Sequence, residues 1–248
     1  MRQRLGFTLI ELLVVMAIIG LLAALVFPAI GGTMGRAQAT ASLSNLRQWG
    51  TAIQMAGNEV DGWLPWDGMD AVSQCITNQQ WWANALPPYV GSPSYLDINR
   101  ASQGRSVPLP PNRSIFVDPA AKKPTGAPYR SGQFSFFFCY VMNSKLNSAL
   151  PAGSRLKIGR IERPTATAIM LEMRTIPTEL PSSDPFYGST LDRAKADWQR
   201  FANRHDSGGH IAFADGSARH VAYTYATQTA SGDYNKDKLI WNPLGPAN

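Results

Sequence analysis

Side chains that commonly perform catalysis or bind metals are scarce in this sequence. Among 248 residues there are three histidines and two cysteines, and charged side chains account for 16%. The histidines, His205, His210 and His220, all lie within one short segment. The net charge of +6 is scattered, without a run of five or more basic residues, which argues against nucleic acid as a partner.

The two cysteines, Cys75 and Cys139, do not have the spacing of a zinc or redox motif. If the part of the chain that contains them is exported, a disulfide between them is one interpretation. Two buried free thiols are the other, and the sequence leaves both open.

What the chain does have is one long apolar run near its beginning. Residues 7–30 contain a single ionisable side chain, Glu11. As a helix, these 24 residues span about 36 Å, enough to cross a bilayer core of about 30 Å. The run is longer than the apolar part of a removable secretory signal, and Arg2 and Arg4 before it favour a cytoplasmic N-terminus. We therefore predict a single membrane span with an extracytoplasmic head.

Glu11 needs an explanation, because a carboxylate inside a membrane span costs about 2.5–3.5 kcal/mol. One interpretation is an acid close enough to the helix end to reach the interface. The other is a carboxylate that pairs with a positive group of a neighbouring subunit in an assembly.

The letters around Glu11, RLGFTLIELLVVMAIIGLLAAL, resemble the class III signal of type IV prepilins and type II secretion pseudopilins. In that family a basic leader ends in glycine, a membrane peptidase cuts after it, and the new N-terminal residue is N-methylated. The glutamate lies four residues further on. The matching positions here are Gly6, Phe7 and Glu11. The resemblance implies a leader over 1–6 and an ion pair between Glu11 and the Phe7 amine of a neighbour.

The function that this resemblance implies is structural, and no enzymatic activity is expected. The chain would be a subunit of a type IV pilus or a type II secretion-type pseudopilus, in the cytoplasmic membrane or in a periplasmic or surface filament. Its expected partners are prepilin peptidase/methyltransferase, other pilin-like subunits, the inner-membrane assembly platform and membrane lipid. The alternative is a membrane-anchored module that binds glycan or peptide without forming filaments. Four tryptophans provide its candidate stacking surface, although core packing is the more common role of such residues: Trp63, Trp66, Trp81 and Trp82.

Beyond the apolar run, helical spacing resumes and extends to about Gly57. We predict one helix from Phe7 to Gly57, loosened near Gly31-Gly32, with an amphipathic half over 31–58. The head, 59–248, is rich in glycine and proline and should contain short strands. The predicted fold is α+β and pilin-like, with the helix packed against a small antiparallel sheet. Its predicted strands are Gln133–Met142, Thr167–Glu172, His210–Ala214 and Ala218–Tyr225, and a short helix is predicted near Trp81–Leu86.

The last two strands flank Asp215-Gly216, which predicts a two-residue hairpin turn. In that register Ile211 pairs with His220, so His210 and His220 point to opposite faces and cannot share a metal ion. Residues 205–216 also resemble the H-X9-DG segment of bacterial prepilin-type proteins, with His205, Asp215 and Gly216 at its fixed positions. We expect a structural role for them: a histidine hydrogen bond in a loop and a hairpin turn.

The letters DSGG at 206–209 resemble the nucleophile segment of chymotrypsin-like proteases. A triad needs a histidine base, which in that family lies well upstream. Here all three histidines lie within the same short segment as DSGG, so a loop is the better interpretation.

Asp233, Asn235 and Asp237 place oxygen ligands at alternate positions, as at the start of a calcium loop. The EF-hand pattern then ends, because its sixth position lacks glycine and its twelfth lacks glutamate. Major pseudopilins hold calcium in an acidic C-terminal loop, and the resemblance therefore favours calcium here. A solvated turn is the alternative, and no other cofactor is expected.

Overall fold

The structure is a computed structural model of the chain. It describes residues 8–69, 75–102, 113–124, 137–147, 150–151, 154–191, 193–227 and 235–245, with the backbone alone over 25–31. Two compact units are present, Met1–Gln38 and Ala39–Asn248.

Helix α1 (Leu9–Glu59) is 51 residues long, which confirms the predicted long N-terminal helix. The helical backbone continues through Gly31-Gly32, where the sequence predicted a loosening. Its first turn is closed by a capping box: Thr8 Oγ1 accepts from the Glu11 N–H at 3.3 Å, and Glu11 Oε2 accepts from the Thr8 N–H at 2.8 Å. Two backbone donors at the helix start are thereby satisfied.

In the first unit, apolar side chains at the start of α1 are exposed, among them Leu9 at 81% and Leu21 at 66%. The predicted span over 7–30 includes Phe7 and the side chains of 25–30, which lie outside the described residues. Among the described residues, no helix combines the length and the apolarity that crossing a membrane requires.

In the second unit, one face of α1 is buried. Leu46, Trp49, Ile53 and Ala56 recur at intervals of three and four residues and are at most 7% exposed. This spacing places them on one side of the helix, and that side packs on the head. The predicted amphipathic half of the helix is thus present.

The main sheet has five strands in the order β3-β1-β2-β4-β5, and its pairs are antiparallel except for β1 with β3. The strands are β1 (Tyr140–Asn143), β2 (Ala168–Glu172), β3 (Lys195–Ala196), β4 (Gly208–Phe213) and β5 (Ala218–Ala222). The predicted α+β fold with an antiparallel-rich sheet is confirmed. Strands β1, β2 and β4 are buried throughout, as expected for the centre of a covered sheet.

Short elements complete the described part of the head. They are α2 (Trp82–Ala85), α3 (Tyr95–Ala101), α4 (Tyr223–Thr227), and a two-stranded sheet of β6 (Asn235–Lys236) and β7 (Leu239–Ile240). Four single turns of 3-10 helix accompany them, at Pro87–Val90, Ile158–Arg160, Pro177–Glu179 and Trp198–Arg200. The predicted continuation of the last strand to Tyr225 is wrong, because β5 ends at Ala222 and α4 follows. Thr227 Oγ1 donates to the Tyr223 carbonyl at 2.7 Å within this helical turn.

The predicted register of the hairpin β4–β5 is also wrong by one residue. His210 lies opposite His220, and Ile211 lies opposite Arg219. The reason is the turn, because the Phe213 N–H donates to the Ser217 carbonyl at 2.8 Å and thereby closes a loop of three residues. Its last residue, Gly216, has φ 85°, the left-handed conformation that three-residue hairpin loops place there. His210 and His220 therefore share a face, with ring centroids 5.7 Å apart.

Aromatic side chains fill the core beneath α1. Trp81 and Trp82 are fully buried and stack edge-on, with ring centroids 5.7 Å apart, and Trp82 meets Trp49 of α1 at the same distance. The Trp82 Nε1–H donates to the Ala194 carbonyl at 2.8 Å. A stacking surface that includes Trp81 and Trp82 is therefore wrong, because both rings are enclosed by the core.

Neither Cys75 nor Cys139 forms a disulfide, and both side chains are buried. Cys75 Sγ accepts a hydrogen bond from the Met69 N–H at 3.0 Å, whereas Cys139 directly precedes β1 and lies beside Asp118. Each sulfur thus sits in its own packed surroundings, and the disulfide interpretation does not describe this structure. Burial raises the pKa of the Cys139 thiol to about 12, which makes it unreactive.

The tip of the hairpin packs directly on α1. A Cβ atom at Gly50 would lie 2.5 Å from the Gly216 carbonyl oxygen, so only glycine permits this approach. Next to it, Gln54 Nε2 donates to the Ala214 carbonyl at 2.5 Å. The Asp-Gly turn thereby fixes where the hairpin meets the helix.

We expect Gly50→Ala to lower the free energy of unfolding by about 1–3 kcal/mol, because the new methyl group meets backbone that cannot move aside. Gly57→Ala is the matched control, since a Cβ there has nothing within 4 Å. That change should stabilise the helix by up to about 1 kcal/mol. Thermal or denaturant unfolding of both variants measures the difference, and equal effects would contradict the close approach.

Candidate functional site

A cluster of polar side chains is buried between α1 and the sheet. Glu172 ends β2 and is 0% exposed, while His205 precedes β4 and His210 lies on it, each 3% exposed. Ser42 of α1 is also fully buried beside them. Burial of so many polar groups is costly unless each is paired, so their partners decide what the cluster does.

Glu172 is the centre of the cluster. Its Oε1 accepts a hydrogen bond from Ser42 Oγ and lies 2.7 Å from His210 Nδ1, and its Oε2 accepts from the His210 N–H at 2.9 Å. Because the Ser42 hydrogen is used on Glu172, the Tyr140 hydroxyl donates to Ser42 Oγ, at 2.8 Å. Asn45 Nδ2 in turn donates to the Tyr140 oxygen at 3.3 Å. One chain of hydrogen bonds thus joins helix and sheet.

His205 connects this chain to an ionic network. Its Nε2 lies 3.0 Å from Asp118 Oδ2 and 3.7 Å from Glu172 Oε1. Arg204 Nη1 donates to the same Asp118 oxygen at 2.8 Å, and Arg204 Nε donates to Glu179 Oε2 at 3.2 Å. Its second Nη donates to the Met173 carbonyl, so the guanidinium joins three separate stretches of chain.

A tight turn aims His205 into the cluster. The His205 N–H donates to the Gly208 carbonyl at 3.0 Å, and the Gly208 N–H donates back at 2.9 Å. The two residues between them, Asp206 and Ser207, have φ values of 45° and 57°. Non-glycine residues rarely adopt this conformation, and such strain collects where a side chain must be held in place. The Tyr223 N–H, which donates to the Ser207 carbonyl at 3.0 Å, supports the turn.

The two glycines that follow leave room for the cluster. A Cβ at Gly209 would lie 2.9 Å from Glu172 Oε2, and a Cβ at Gly208 would lie 2.3 Å from the Val221 carbonyl oxygen. The DSGG letters therefore describe a strained turn and a close approach of backbone to a buried carboxylate. The serine bonded to Glu172 is not Ser207 of these letters but Ser42 of α1.

The charges of the network support one another. Burial alone would raise the pKa of Asp118, but Arg204 and His205 lower it to about 2. Burial alone would lower the pKa of His205, yet its hydrogen bond to Asp118 and the charge of Glu172 raise it above the usual range. Burial likewise disfavours the charge of Arg204, but Glu179 and Asp118 raise its pKa well above normal. The cluster is therefore built to hold positive charge against buried carboxylates.

The predicted residues of the H-X9-DG segment occupy two different places. His205 belongs to the buried cluster, whereas Asp215 lies at the exposed hairpin tip. There Asp215 Oδ1 accepts from the Ser217 N–H at 3.0 Å and from its hydroxyl at 2.7 Å, and Gly216 meets α1. The segment thus contacts the core at one end and the helix at the other.

Most of the cluster was missed by sequence reasoning. Glu172 stands at the end of an otherwise apolar strand, AIMLE, and an acid in such a strand is a readable signal of a buried partner. Asp118 and Arg204 carry no such signal, because each lies in a loop where charge is ordinary. Ser42 looks like any small polar residue of a helix.

Of the three predicted calcium ligands, the structure describes Asn235 and Asp237. Asp233 lies outside the described residues. Asn235 Oδ1 accepts from the Trp241 and Asn242 N–H groups at 3.1 and 3.0 Å, and Asp237 Oδ1 pairs with Arg163 at 2.9 Å. Both line a cavity of about 230 Å³. Calcium bound by these residues stays a prediction.

One comparison with known proteins concerns the beginning of the chain. Residues 1–27 match the family model of the prokaryotic N-terminal methylation motif. The N-terminus is a prepilin-type segment. The capping box of Thr8 and Glu11 lies within this prepilin-type segment, whereas Gly6 and Phe7 lie outside the described residues.

A relative matches a longer stretch than the prepilin-type segment. The chain is 40% identical over 74 residues to a fimbrial protein of Dichelobacter nodosus, which is 30% of this chain and 45% of that protein. The chain thus spans less than half the length of this curated relative. No solved structure matches the chain. The comparisons thus show a prepilin-type motif over residues 1–27 and a partial similarity to one fimbrial protein.

We expect Arg204→Met to lower the free energy of unfolding by about 3–5 kcal/mol, because it leaves two buried carboxylates without their guanidinium. Lys157→Gln is the control, since Lys157 pairs with the exposed Asp61 at 2.6 Å, where solvent screens the charges. That change should have little effect on denaturant unfolding. An equally small effect of Arg204→Met would contradict a network that depends on its charge.

Proposed function

We propose that the chain is a pilin-like or pseudopilin-like structural subunit, cut by prepilin peptidase after Gly6 and methylated on Phe7. In this proposal residues 7–30 anchor it in the cytoplasmic membrane, and it assembles into a type IV pilus or a type II secretion-type pseudopilus. The observation that carries the proposal is the prepilin-type segment over residues 1–27.

The exposed apolar side chains at the start of α1 support the proposal that this part of the helix is surrounded by lipid or by neighbouring subunits. Leu9, Ile10 and Leu13 are 81%, 70% and 60% exposed in the single chain. Such a surface is unfavourable in water. Lipid in the membrane and neighbouring helices in a filament would each remove it from water.

The Glu11 carboxylate already forms hydrogen bonds within its own chain. Its Oε2 accepts from the Thr8 N–H and from the Thr8 hydroxyl, at 2.8 and 2.7 Å. A carboxylate accepts about four hydrogen bonds, so pairing with the Phe7 amine of a neighbour is compatible with the capping box. The proposed role of Glu11 in assembly therefore has a competing local explanation, helix capping, and the two can be separated by substitution.

The buried cluster supports a head that is fixed on its own part of the helix. Glu172 and the hairpin tip both bind the stretch of α1 between Ser42 and Gln54. A subunit that is pulled or pushed within a filament needs such a connection, since a head that slides along its helix would not transmit force. Calcium at Asp233, Asn235 and Asp237 would add a further fixed loop to this head.

Processing is the first test. The mature chain should begin at Phe7 with one added methyl group, and 248 less 6 residues leaves 242. Intact-mass analysis of membrane-extracted protein measures this. Gly6→Val should leave the leader in place, whereas Gly20→Val, a change of another glycine in the same segment, should be processed normally. A mature start after Ala23 or Ala24 would overturn the pilin-like proposal.

Assembly is the second test, and Glu11 separates its explanations. Glu11→Leu removes both charge and cap, whereas Glu11→Gln removes the charge but keeps a capping-box residue. If the Phe7 amine needs the carboxylate, both variants should be processed and inserted, and both should lose incorporation into filaments or crosslinked oligomers.

The contrary outcomes are distinct. Normal incorporation of Glu11→Gln with loss for Glu11→Leu would assign Glu11 to capping alone. Normal incorporation of both variants would favour a processed but solitary anchored module, the glycan- or peptide-binding alternative. Incorporation is measured in sheared surface filaments and in membrane crosslinking, against processing by mass.

A further inference from the structure

Three potential metal ligands converge in the buried cluster. The ligand atoms of Glu172, His205 and His210 all lie within 4.8 Å of one another. Glu172 Oε1 is 2.7 Å from His210 Nδ1 and 3.7 Å from His205 Nε2. The two imidazole rings are themselves 4.9 Å apart between centroids.

These separations are close to those of a tetrahedral zinc site. Zinc–nitrogen and zinc–oxygen bonds of about 2.0–2.1 Å place neighbouring ligand atoms about 3.3 Å apart. The observed distances lie on either side of that value. All three pairs of ligand atoms are within 4.8 Å, so a zinc ion would need the side chains to move by about 1 Å. Asp118 Oδ2 lies 3.0 Å from His205 Nε2 but outside the group of three, so it would have to move toward the ion to become the fourth ligand.

The charge of the cluster also matches a divalent cation. Asp118 and Glu172 are fully buried carboxylates, and the side chain of Glu179 is 7% exposed. Arg204 is the guanidinium that faces Asp118 and Glu179. Two negative charges are left for the imidazoles or for an ion to balance. An ion of charge +2, bound by two neutral imidazoles and a carboxylate, would balance these two negative charges.

The surroundings already orient the ligands, as the outer groups of metal sites do. Ser42 Oγ and the His210 N–H hold the Glu172 carboxylate, and the strained turn at Asp206-Ser207 holds His205. Gly209 provides the space beside the carboxylate. Such positioning exceeds what a hairpin needs, since Gly216 and Asp215 already fix its turn.

We propose that Glu172, His205 and His210 bind a zinc ion in the core of the head, with Asp118 as the fourth ligand. The ion would be structural, because the four ligands are buried and leave no open position for substrate. It would join the end of β2 to β4 and to the loop that begins the H-X9-DG segment, and through Ser42 it would strengthen the attachment of α1. The proposal does not depend on filament assembly.

The test uses the full chain purified in detergent. After removal of metal by a chelator, zinc is added back, and the zinc content and Tm are measured. We expect one zinc per chain and a rise of Tm by several degrees with zinc well above its Kd. Cobalt in place of zinc should give the visible absorption of a tetrahedral site. No bound zinc and no shift of Tm in the wild-type chain would overturn the proposal.

Variants locate the site. Glu172→Gln and His210→Gln keep the size of the side chain and should weaken zinc binding at least about 100-fold. His220→Gln is the matched control: His220 shares the hairpin face but bonds the His205 carbonyl, at 2.8 Å, and should bind zinc as the wild type does. Zinc bound equally by all three variants would place the ion elsewhere and overturn the proposal. If a variant does not fold, the wild-type zinc content and cobalt spectrum still decide.

Discussion

The burial of the Glu172 carboxylate between helix and sheet constrains the rest of the head. A charge in that position must have several donors, and they come from Ser42 on α1 and from the side chain and backbone of His210 on β4. Because these donors lie on α1 and on β4, the carboxylate of β2 fixes where the helix lies on the sheet. Apolar packing of Leu46 and Trp49 supplies burial, but it does not select one position along the helix in the same way.

This arrangement explains the spacing of the H-X9-DG segment in physical terms. Its histidine enters the buried network through a strained turn, and its Asp-Gly lies at the far end of β4, where Gly216 meets Gly50 of α1. The nine residues between them include β4, whose six residues are all buried. The nine-residue spacing thus corresponds to β4 and the turns at its two ends. A strand of fixed length keeps His205 and the Asp-Gly turn at a fixed separation.

Much of the fold was predictable from local patterns. Spacing at three and four residues predicted α1, and alternation around Asp215-Gly216 predicted the hairpin. The register of that hairpin was not predictable, because Asp-Gly fits a two-residue turn and a three-residue turn equally well. The observed loop places Gly216 third, with its carbonyl against Gly50 of α1. That single shift brought His210 and His220 onto one face.

The sequence by itself determined the prepilin-type segment, the long helix and the α+β class, because each depends on residues that are neighbours in the chain or repeat at a fixed period. Only the tertiary structure decided the buried cluster. Its members come from α1, β1, β2, β4 and three segments outside the strands, and Asp118 and His205 are separated by 87 residues. A hydrogen bond between residues so far apart in sequence produces no periodic sequence pattern. It depends on how the chain folds back on itself and not on the residues that are neighbours in the sequence.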